Sequence, residues 1–154
     1  MSENLEKVRA LAIDLRTGVP RSPRDTIGGY VIAARAVDKG RADIVGWQGE
    51  YHFDCPLTHI FLEFAGIDVT DFRTLLATGV TDEEVGAWIQ AHATSREKIE
   101  VVRFNNEWRE KRLGDLVEAL QLYMEDYIVE NTPPGVRIYT WFDVYDAEEG
   151  RITA

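Results

Sequence analysis

The feature that most constrains the fold of this chain is the recurrence of stretches with apolar side chains at helical spacing. Each such stretch is preceded by a residue that can cap a helix. The clearest case follows Thr81, which with Glu84 has the spacing of a capping box. Val85, Trp88 and Ile89 then lie on one helical face. Periodicity of this kind predicts that amphipathic helices packed around a core dominate the fold.

The same reasoning predicts further helices and one short β element. Val136–Tyr145 alternates between apolar and polar side chains, which is typical of a strand, and Arg151–Thr153 follows as a short hairpin partner. The fold class expected is therefore mainly α (α+β), with about five to six helices and a small C-terminal β-strand or hairpin. The other predicted helices are Ser22–Lys39, Asp54–Gly66, one following Asp68, Ser95–Arg112 and Asp115–Glu130, and Ile44–Phe53 is predicted to be extended.

Length and charge bound the organisation and the partners of the chain. A length of 154 residues fits one domain, with an N-terminal arm at 1–20, a helical body at 21–130 and the β element at 136–154. The net charge of −10 opposes binding to a phosphate backbone, so no nucleic-acid partner is expected. The positive charge is concentrated early in the chain, because residues 1–45 carry eight Lys and Arg against six Asp and Glu.

The cysteine count and the N-terminus predict a cytoplasmic protein. A single cysteine cannot form an intrachain disulfide, which favours a reducing compartment. The first residues lack the apolar core of a signal peptide, and no apolar run approaches the roughly 20 residues that cross a bilayer. No membrane partner is therefore expected.

A cluster of basic residues is the first candidate site, and it predicts a small anionic ligand. Arginine side chains bind carboxylate or phosphate at two points, and a helix N-terminus also favours an anion. The alternative is a solvated helix face on which an acid neutralises the bases. The residues proposed to bind the ligand are Arg21, Arg24, Arg35, Asp38, Lys39 and Arg41.

The segment around Cys55 is the second candidate site, and it suggests a reactive thiol. Cys55 is predicted at the start of a helix, where the helix dipole lowers the pKa of a thiol, and His52 or His59 is a candidate base. The alternative is that Cys55 is a buried apolar residue or the helix cap itself. A metal site built from His52, Asp54, His59 and Glu63 matches no known ligand pattern, so neither a metal nor a cofactor is predicted.

Aromatic side chains on the predicted C-terminal strand form the third candidate site. Tyr139, Trp141 and Tyr145 alternate with Phe142 and its neighbours, so they share one strand face. That face is a candidate contact for a homodimer. The alternative is that it packs against the helices of the same chain.

The sequence leaves the function open among three classes. Signatures such as a phosphate-binding glycine loop, a nucleophile elbow or H-E-x-x-H do not occur. The favoured hypothesis is a binding module for a small anionic metabolite. The alternatives are a protein-interaction domain and a thiol-dependent enzyme, so whether the chain is an enzyme stays undecided.

Ordered motifs along the chain resemble a bacterial family of uncharacterised proteins, a domain of unknown function. The resemblance implies a small cytosolic helical domain and no particular activity. It directs attention to the motif positions Arg35, Asp38, Lys39, Arg41, His52 and Cys55, and the position after Cys-Pro-Leu is Thr58 where the family commonly has Asp. The motifs are R-S-P at 21–23, G-G-Y at 28–30, A-R at 34–35, D-K-G-R-A at 38–42, G-E-Y-H at 49–52, C-P-L at 55–57, T-D-E-E at 81–84 and T-W-F-D at 140–143.

Overall fold

The protein is mainly helical, with one short β-hairpin. The computed structural model describes residues 2–154, and these contain eight α-helices and a two-stranded antiparallel sheet. The helices are α1 (Glu3–Leu11), α2 (Ala33–Val45), α3 (Pro56–Ala65), α4 (Val69–Leu76), α5 (Asp82–His92), α6 (Lys98–Arg109), α7 (Glu118–Asn131) and α8 (Trp141–Glu148). The strands are β1 (Thr26–Ile27) and β2 (Tyr30–Val31), and a 3₁₀ turn spans Leu113–Asp115.

The chain divides into two compact units. The first extends to Val101 and contains α1 to α5 with the hairpin, and the second extends from Val102 to Ala154 and contains α7 and α8. The division falls within α6. Mainly helical structure was the prediction, and it is confirmed at that level, whereas the number of helices was underestimated.

Helix α2 is the most buried element of the first unit. Every residue from Ala33 to Ala42 is buried, and α1, α3, α4 and the hairpin all contact this helix. Gly40 permits a close approach, because a Cβ at this position would lie 2.5 Å from Leu76 Cδ1 of α4 and 3.1 Å from a ring carbon of Phe53. The helix therefore lies in the interior although four of its ten buried residues carry charge.

The hairpin corrects the prediction of a helix beginning at Ser22. Gly28 and Gly29 have φ angles of 62° and 87°, and they form a two-residue connection between β1 and β2. Two consecutive left-handed residues are what a tight hairpin of this kind requires, and glycine adopts them without steric cost. Helix α2 therefore begins eleven residues later than Ser22, after the buried Ile32, whose φ of 74° is unusual for a β-branched residue.

The C-terminal strand predicted at Val136–Tyr145 is wrong. Helix α8 occupies Trp141–Glu148, and it begins at a capping box in which Thr140 accepts from the Asp143 amide and Asp143 accepts from the Thr140 amide. The alternation of apolar residues suggested a strand, but the Thr-x-x-Asp spacing is a start signal for a helix. The predicted return strand at Arg151–Thr153 is likewise not present.

The predicted starts of α3, α4 and α5 are confirmed. Cys55 precedes α3 with Pro56 in its first turn, and Asp68 caps α4 by accepting from two backbone amides. Thr81 and Glu84 form the expected capping box of α5. By contrast, the segment 44–53 was predicted to be extended, whereas α2 continues to Val45 and the described residues after it form no strand.

None of the helices in residues 2–154 has both the length and the apolar character needed to cross a bilayer.

Candidate functional site

The basic residues of α2 lie in the protein interior. Arg35, Lys39 and Arg41 have only 3%, 6% and 4% of their surface exposed, and Asp38 has 2%. Burying a charge is costly unless an opposite charge or hydrogen bonds stabilise it. The contacts of these side chains therefore decide which of them is available to a ligand, and they fall into two groups.

The first group is an ionic network formed by Arg21, Asp38, Arg41 and Asp82. Arg21 donates to both carboxylate oxygens of Asp38, from Nε at 3.0 Å and Nη2 at 2.9 Å, and its backbone amide donates to Oδ2 at 2.8 Å. The carboxylate of Asp82 accepts from Nη1 of Arg21 and from Nη1 of Arg41, each at 2.9 Å. Arg41 also donates to the Val80 carbonyl at 3.0 Å. The network thus ties the segment before the hairpin to α2 and to the start of α5.

Charges in the ionic network stabilise one another. Burial alone would lower the pKa of Arg21, but the carboxylates of Asp38 and Asp82 raise it above its ordinary value. Burial alone would raise the pKa of Asp82, but the two guanidinium groups of Arg21 and Arg41 hold it below its ordinary value. These side chains act as partners of one another, but they do so on a buried helix face, whereas the alternative for the basic cluster was a solvated face.

Arg24 does not lie at a helix N-terminus. Helix α2 begins at Ala33, so the segment containing Arg24 precedes β1, and the Arg24 amide donates to the Ser22 hydroxyl at 3.1 Å. The six predicted ligand-binding residues are therefore not gathered in one anion site: Arg21, Asp38 and Arg41 belong to the ionic network, while Arg35 and Lys39 have other contacts.

The second group is the thiol cluster, formed by Lys39, Cys55 and Thr58. Lys39 Nζ on α2 donates to Cys55 Sγ at 3.1 Å, and the Thr58 hydroxyl lies 3.5 Å from the same sulfur. Cys55 is the residue immediately before α3, and its side chain is only partly buried. The cluster brings together a buried ammonium, a buried hydroxyl and a half-buried thiol at the start of a helix.

The surroundings of Cys55 favour the thiolate. Burial by itself would raise the pKa of the Cys55 thiol, but the positive charge of Lys39 and hydrogen bonding by Thr58 outweigh it and hold the pKa below its ordinary value. A thiolate at a helix N-terminus beside a lysine is the arrangement in which cysteine becomes nucleophilic near neutral pH.

The partner of the thiol is a lysine, whereas the sequence suggested a histidine. His59 Nε2 contacts the carboxylate of Asp54. His52 is exposed and lines a cavity of about 400 Å³ together with Tyr51, Phe53 and α4 residues. The hydrogen bonds described for the sulfur are with Lys39 and Thr58, and the Lys39 ammonium acts on the thiol as a positive charge, whereas the sequence predicted a histidine base.

Arg35 lies one helical turn before Lys39. Its Nη1 donates to the Arg21 carbonyl at 3.2 Å, and its guanidinium carbon lies 5.7 Å from the centre of the Tyr51 ring. A cation over the face of an aromatic ring gains electrostatic stabilisation. Arg35 and Lys39 therefore hold two cations one turn apart on the same helix, and Cys55 lies beside the second.

Acidic and histidine side chains do not assemble into a metal site in the described part of the chain. No group of three or more His, Cys, Asp or Glu in residues 2–154 is placed to hold a metal ion. His59 contacts Asp54, whereas His52 lines the cavity. The four residues considered as ligands from the sequence, His52, Asp54, His59 and Glu63, do not form such a group.

The aromatic residues proposed as an interaction face do not share a strand face. Trp141, at the first position of α8, is buried with 2% of its surface exposed, and its ring lies 5.9 Å from that of Trp108. Tyr139 is exposed and Tyr145 is half-buried, 6.1 Å from the Trp141 ring. Trp141 therefore packs within the second unit, as the alternative interpretation expected.

Two contacts of the thiol cluster were missed from the sequence. Thr58 lies three residues after Cys55, and the residue at this helical position commonly interacts with the side chain that precedes the helix, so the spacing was an available signal. The Lys39–Cys55 contact had no local signal, because sixteen residues separate the two and only the packing of α2 beside α3 joins them.

Comparison with known families gives one match. The profile of a family described as a domain of unknown function, DUF5069, matches residues 17–151. This range includes the ionic network, the thiol cluster and all the residues proposed from the sequence. Comparison with curated proteins gives no match.

Proposed function

Because the chain belongs to DUF5069, a family described only as a domain of unknown function, we propose a function from the contacts of the thiol cluster: Cys55 acts as a nucleophilic thiolate toward a small anionic substrate. The observation that carries this proposal is the 3.1 Å contact between Lys39 Nζ and Cys55 Sγ at the start of α3. Both the ammonium and the helix dipole favour negative charge on the sulfur.

Partial exposure of Cys55 supports a chemical role over a purely structural one. Lys39 and Thr58 are buried, so Cys55 is the most exposed residue of the thiol cluster. A cysteine that only fills space in a core is inert and enclosed by apolar side chains. Cys55 instead contacts an ammonium and a hydroxyl.

An anionic substrate is favoured by the second cation of α2. Arg35 precedes Lys39 by one turn on α2, so we expect its charge to add to that of Lys39 in attracting an anionic group to Cys55. The ionic network does not add to this attraction, because Arg21 and Arg41 contact the carboxylates of Asp38 and Asp82.

The pH dependence of alkylation tests the nucleophile. Cys55 is the only cysteine in the sequence, so the rate of reaction with iodoacetamide reports on this sulfur alone. We expect the midpoint of the rate profile below the ordinary thiol pKa of about 8.5. The midpoint should rise in Lys39→Met, which removes the charge and keeps a long side chain, and stay unchanged in Lys98→Met at an exposed site. A midpoint at or above that of free cysteine would contradict the proposal.

The preference for an anionic substrate is tested by changing the charge of the alkylating reagent. Iodoacetate is an anion and iodoacetamide is neutral, and both react with a thiolate by the same displacement. We expect the ratio of their rates to be higher for Cys55 than for free cysteine in the same buffer, and lower in Arg35→Gln than in the wild type. A ratio equal to that of free cysteine would contradict the preference for an anionic substrate but not the proposal that Cys55 is a nucleophilic thiolate.

Binding of an anion without chemistry is the second candidate, and the same two cations favour it. A panel of phosphates and carboxylates, each in excess, should raise the unfolding temperature, since a ligand at about 100 times its Kd stabilises by about 2.7 kcal/mol. Stabilisation that persists in Cys55→Ser and disappears in Arg35→Gln would favour this candidate over the nucleophile.

Self-association is a third candidate, and apolar side chains exposed on α7 favour it. Leu122 and Val129 are 67% and 80% exposed and lie seven residues apart, which places them on one face of the helix. Static light scattering on wild type and Val129→Arg tests this surface, and identical monomer masses would argue against it. Trp141→Arg is unsuitable for the purpose, because Trp141 is buried and its loss would disrupt packing.

A further inference from the structure

A buried amine lies against the sulfur of Cys55, and this has a chemical consequence under oxidation. Lys39 Nζ is 3.1 Å from Cys55 Sγ, and each residue is held by its own helix, Lys39 within α2 and Cys55 at the start of α3. Cys55 is a partly exposed residue, whereas Lys39 is 6% exposed. We expect a small oxidant to reach the sulfur of such a residue, and the Lys39 amine lies within hydrogen-bond distance of that sulfur.

We propose that Lys39 and Cys55 form a modification site, in which a peroxide oxidises the sulfur and the amine of Lys39 then captures it as a covalent sulfur–nitrogen cross-link. The inference rests on the proposed function in one respect, because it needs Cys55 to react as a thiolate. It goes further in assigning Lys39 a covalent role and in making the site sensitive to peroxide.

The first step is oxidation of the thiolate. The sulfur attacks one oxygen of hydrogen peroxide, a sulfur–oxygen bond forms and the oxygen–oxygen bond breaks. The released hydroxide takes a proton to become water, so the products are a sulfenic acid and water. Two electrons pass from sulfur to peroxide, and no other oxidant is needed.

The second step is capture of the sulfenic acid by the amine. The nitrogen of neutral Lys39 attacks the sulfur, a sulfur–nitrogen bond forms and the sulfur–oxygen bond breaks. The hydroxyl group leaves with a proton from the nitrogen as a second molecule of water. Overall, the thiol and the amine each lose one hydrogen, and one peroxide becomes two waters.

Oxidation itself favours the neutral amine that the second step requires. While the sulfur is a thiolate, its negative charge stabilises the ammonium of Lys39. The sulfenic acid is uncharged, so this stabilisation of the ammonium is lost when the sulfur is oxidised. Within the chain, no second cysteine competes for the sulfenic acid, because Cys55 is the only one.

The cross-link would protect Cys55 from further oxidation and would also make it unreactive as a nucleophile. It ties the sulfur to nitrogen before further peroxide converts it to the irreversible sulfinic acid. It also removes the nucleophile until a reducing thiol attacks the sulfur, which breaks the sulfur–nitrogen bond and returns the amine. The oxidised protein is therefore expected to be inert toward iodoacetamide and to recover after reduction.

Mass spectrometry of the full-length chain after treatment with hydrogen peroxide tests the inference. We expect the intact mass to fall by two hydrogens, a peptide containing Lys39 to be linked to one containing Cys55, and dithiothreitol to restore both. Lys39→Arg is the matched variant, because it keeps the positive charge beside the sulfur but offers a guanidinium, which is a far poorer nucleophile. This variant should gain oxygen at Cys55 and form no link.

Failure of the inference is distinguishable from failure of the proposed function. Wild-type protein that gains oxygen at Cys55 without a link, as is expected of Lys39→Arg, would contradict the cross-link. If the alkylation midpoint is nevertheless lowered, the proposal that Cys55 is a nucleophilic thiolate still holds. A midpoint equal to that of free cysteine, with no reaction toward peroxide, would overturn both. Peptide mapping of the wild type decides the matter even if Lys39→Arg does not fold.

Discussion

At the scale of single residues, the contacts of Cys55 and Asp38 determine how charge is accommodated in the interior. Both side chains lie beside a cation, Lys39 for the thiol and Arg21 for the carboxylate. The Cys55 thiolate contributes stability only while it is charged. Stability should therefore respond to pH through Cys55, and to removal of either partner in both pairs.

The first prediction concerns the pH dependence of stability at Cys55. Its pKa is lowered in the folded state, because Lys39 and Thr58 outweigh the effect of burial. Between the folded pKa and the unfolded pKa of about 8.5, the unfolded state binds more protons, so stability rises with pH. We expect the free energy of unfolding of wild type relative to Cys55→Ser to increase up to about pH 9 and to be lost as pH falls through the folded pKa.

Chemical denaturation at a series of pH values checks this prediction. Lys39→Met is the control, since removing the ammonium should flatten the difference between the cysteine and serine proteins. A difference that decreases as the pH rises from 6 to 9 would contradict a lowered thiol pKa.

The second prediction concerns the ionic network. Asp38→Ala removes a carboxylate that is 3% exposed and leaves Arg21 without its bidentate partner. Breaking a buried pair by removing one member costs about 3–5 kcal/mol, and we expect the lower end because a third of the Arg21 side chain is exposed.

Urea denaturation compares this variant with Asp126→Ala, which removes an exposed carboxylate from α7 and should change stability by no more than about 0.5 kcal/mol. A loss of less than about 1 kcal/mol in Asp38→Ala would show that the network contributes little.

At the scale of elements, the close packing of α2 explains why a glycine lies within a helix. Gly40 has Leu76 Cδ1 at 2.5 Å and Phe53 at 3.1 Å from the position of a Cβ, so a side chain here requires the buried Leu76 side chain or the Phe53 ring to shift. Glycine is otherwise unfavourable in a helix interior, by about 1 kcal/mol relative to alanine. The close approach of the neighbouring side chains therefore outweighs local helix propensity at this position.

The third prediction follows from this contact. Gly40→Ala should lower the free energy of unfolding. Over-packing costs about 1–3 kcal/mol, and the gain in helix propensity offsets only about 1 kcal/mol of it. Gly114→Ala is the matched control, since no atom lies within 4 Å of its Cβ position and the change should be small. Thermal unfolding of the two variants checks this, and a Gly40→Ala protein more stable than wild type would contradict the packing argument.

At the scale of the whole molecule, charge outside the buried contacts is strongly unbalanced. The chain carries 27 acidic and 17 basic residues, and most acids lie on exposed positions. Like charges on a surface repel and destabilise the compact state, and salt screens that repulsion over about 10 Å. Buried pairs such as Arg21–Asp38 are screened much less.

The fourth prediction is that salt stabilises the protein. Raising sodium chloride from about 10 mM to about 150 mM should raise the unfolding temperature. Salt screens both the repulsion among exposed acidic residues and the attraction within exposed ion pairs, and we expect the repulsion to be the larger of the two. Differential scanning calorimetry at the two concentrations checks this. An unfolding temperature that falls with salt would indicate that exposed ion pairs outweigh the net charge of −10.

Local signals in the sequence were sufficient for the helices that have a cap at their start. Asp68 and the Thr81–Glu84 pair act within a single helical turn, so the residues that form the cap are neighbours in the chain. Two local signals compete at Thr140, since the capping box with Asp143 lies within a stretch of alternating apolar residues, and the alternation predicted the wrong element.

The burial of α2 and the contact between Lys39 and Cys55 depended on tertiary structure alone. Helical periodicity assigns charged residues to a solvated face, and here that face is covered by other elements that supply Asp82 and Cys55 as partners. Those partners are 16 residues from Lys39 and 41 residues from Arg41, and no pattern within one or two helical turns encodes such a contact. Which cation meets the thiol is therefore decided by how the helices pack, because only packing brings distant side chains within a few ångströms.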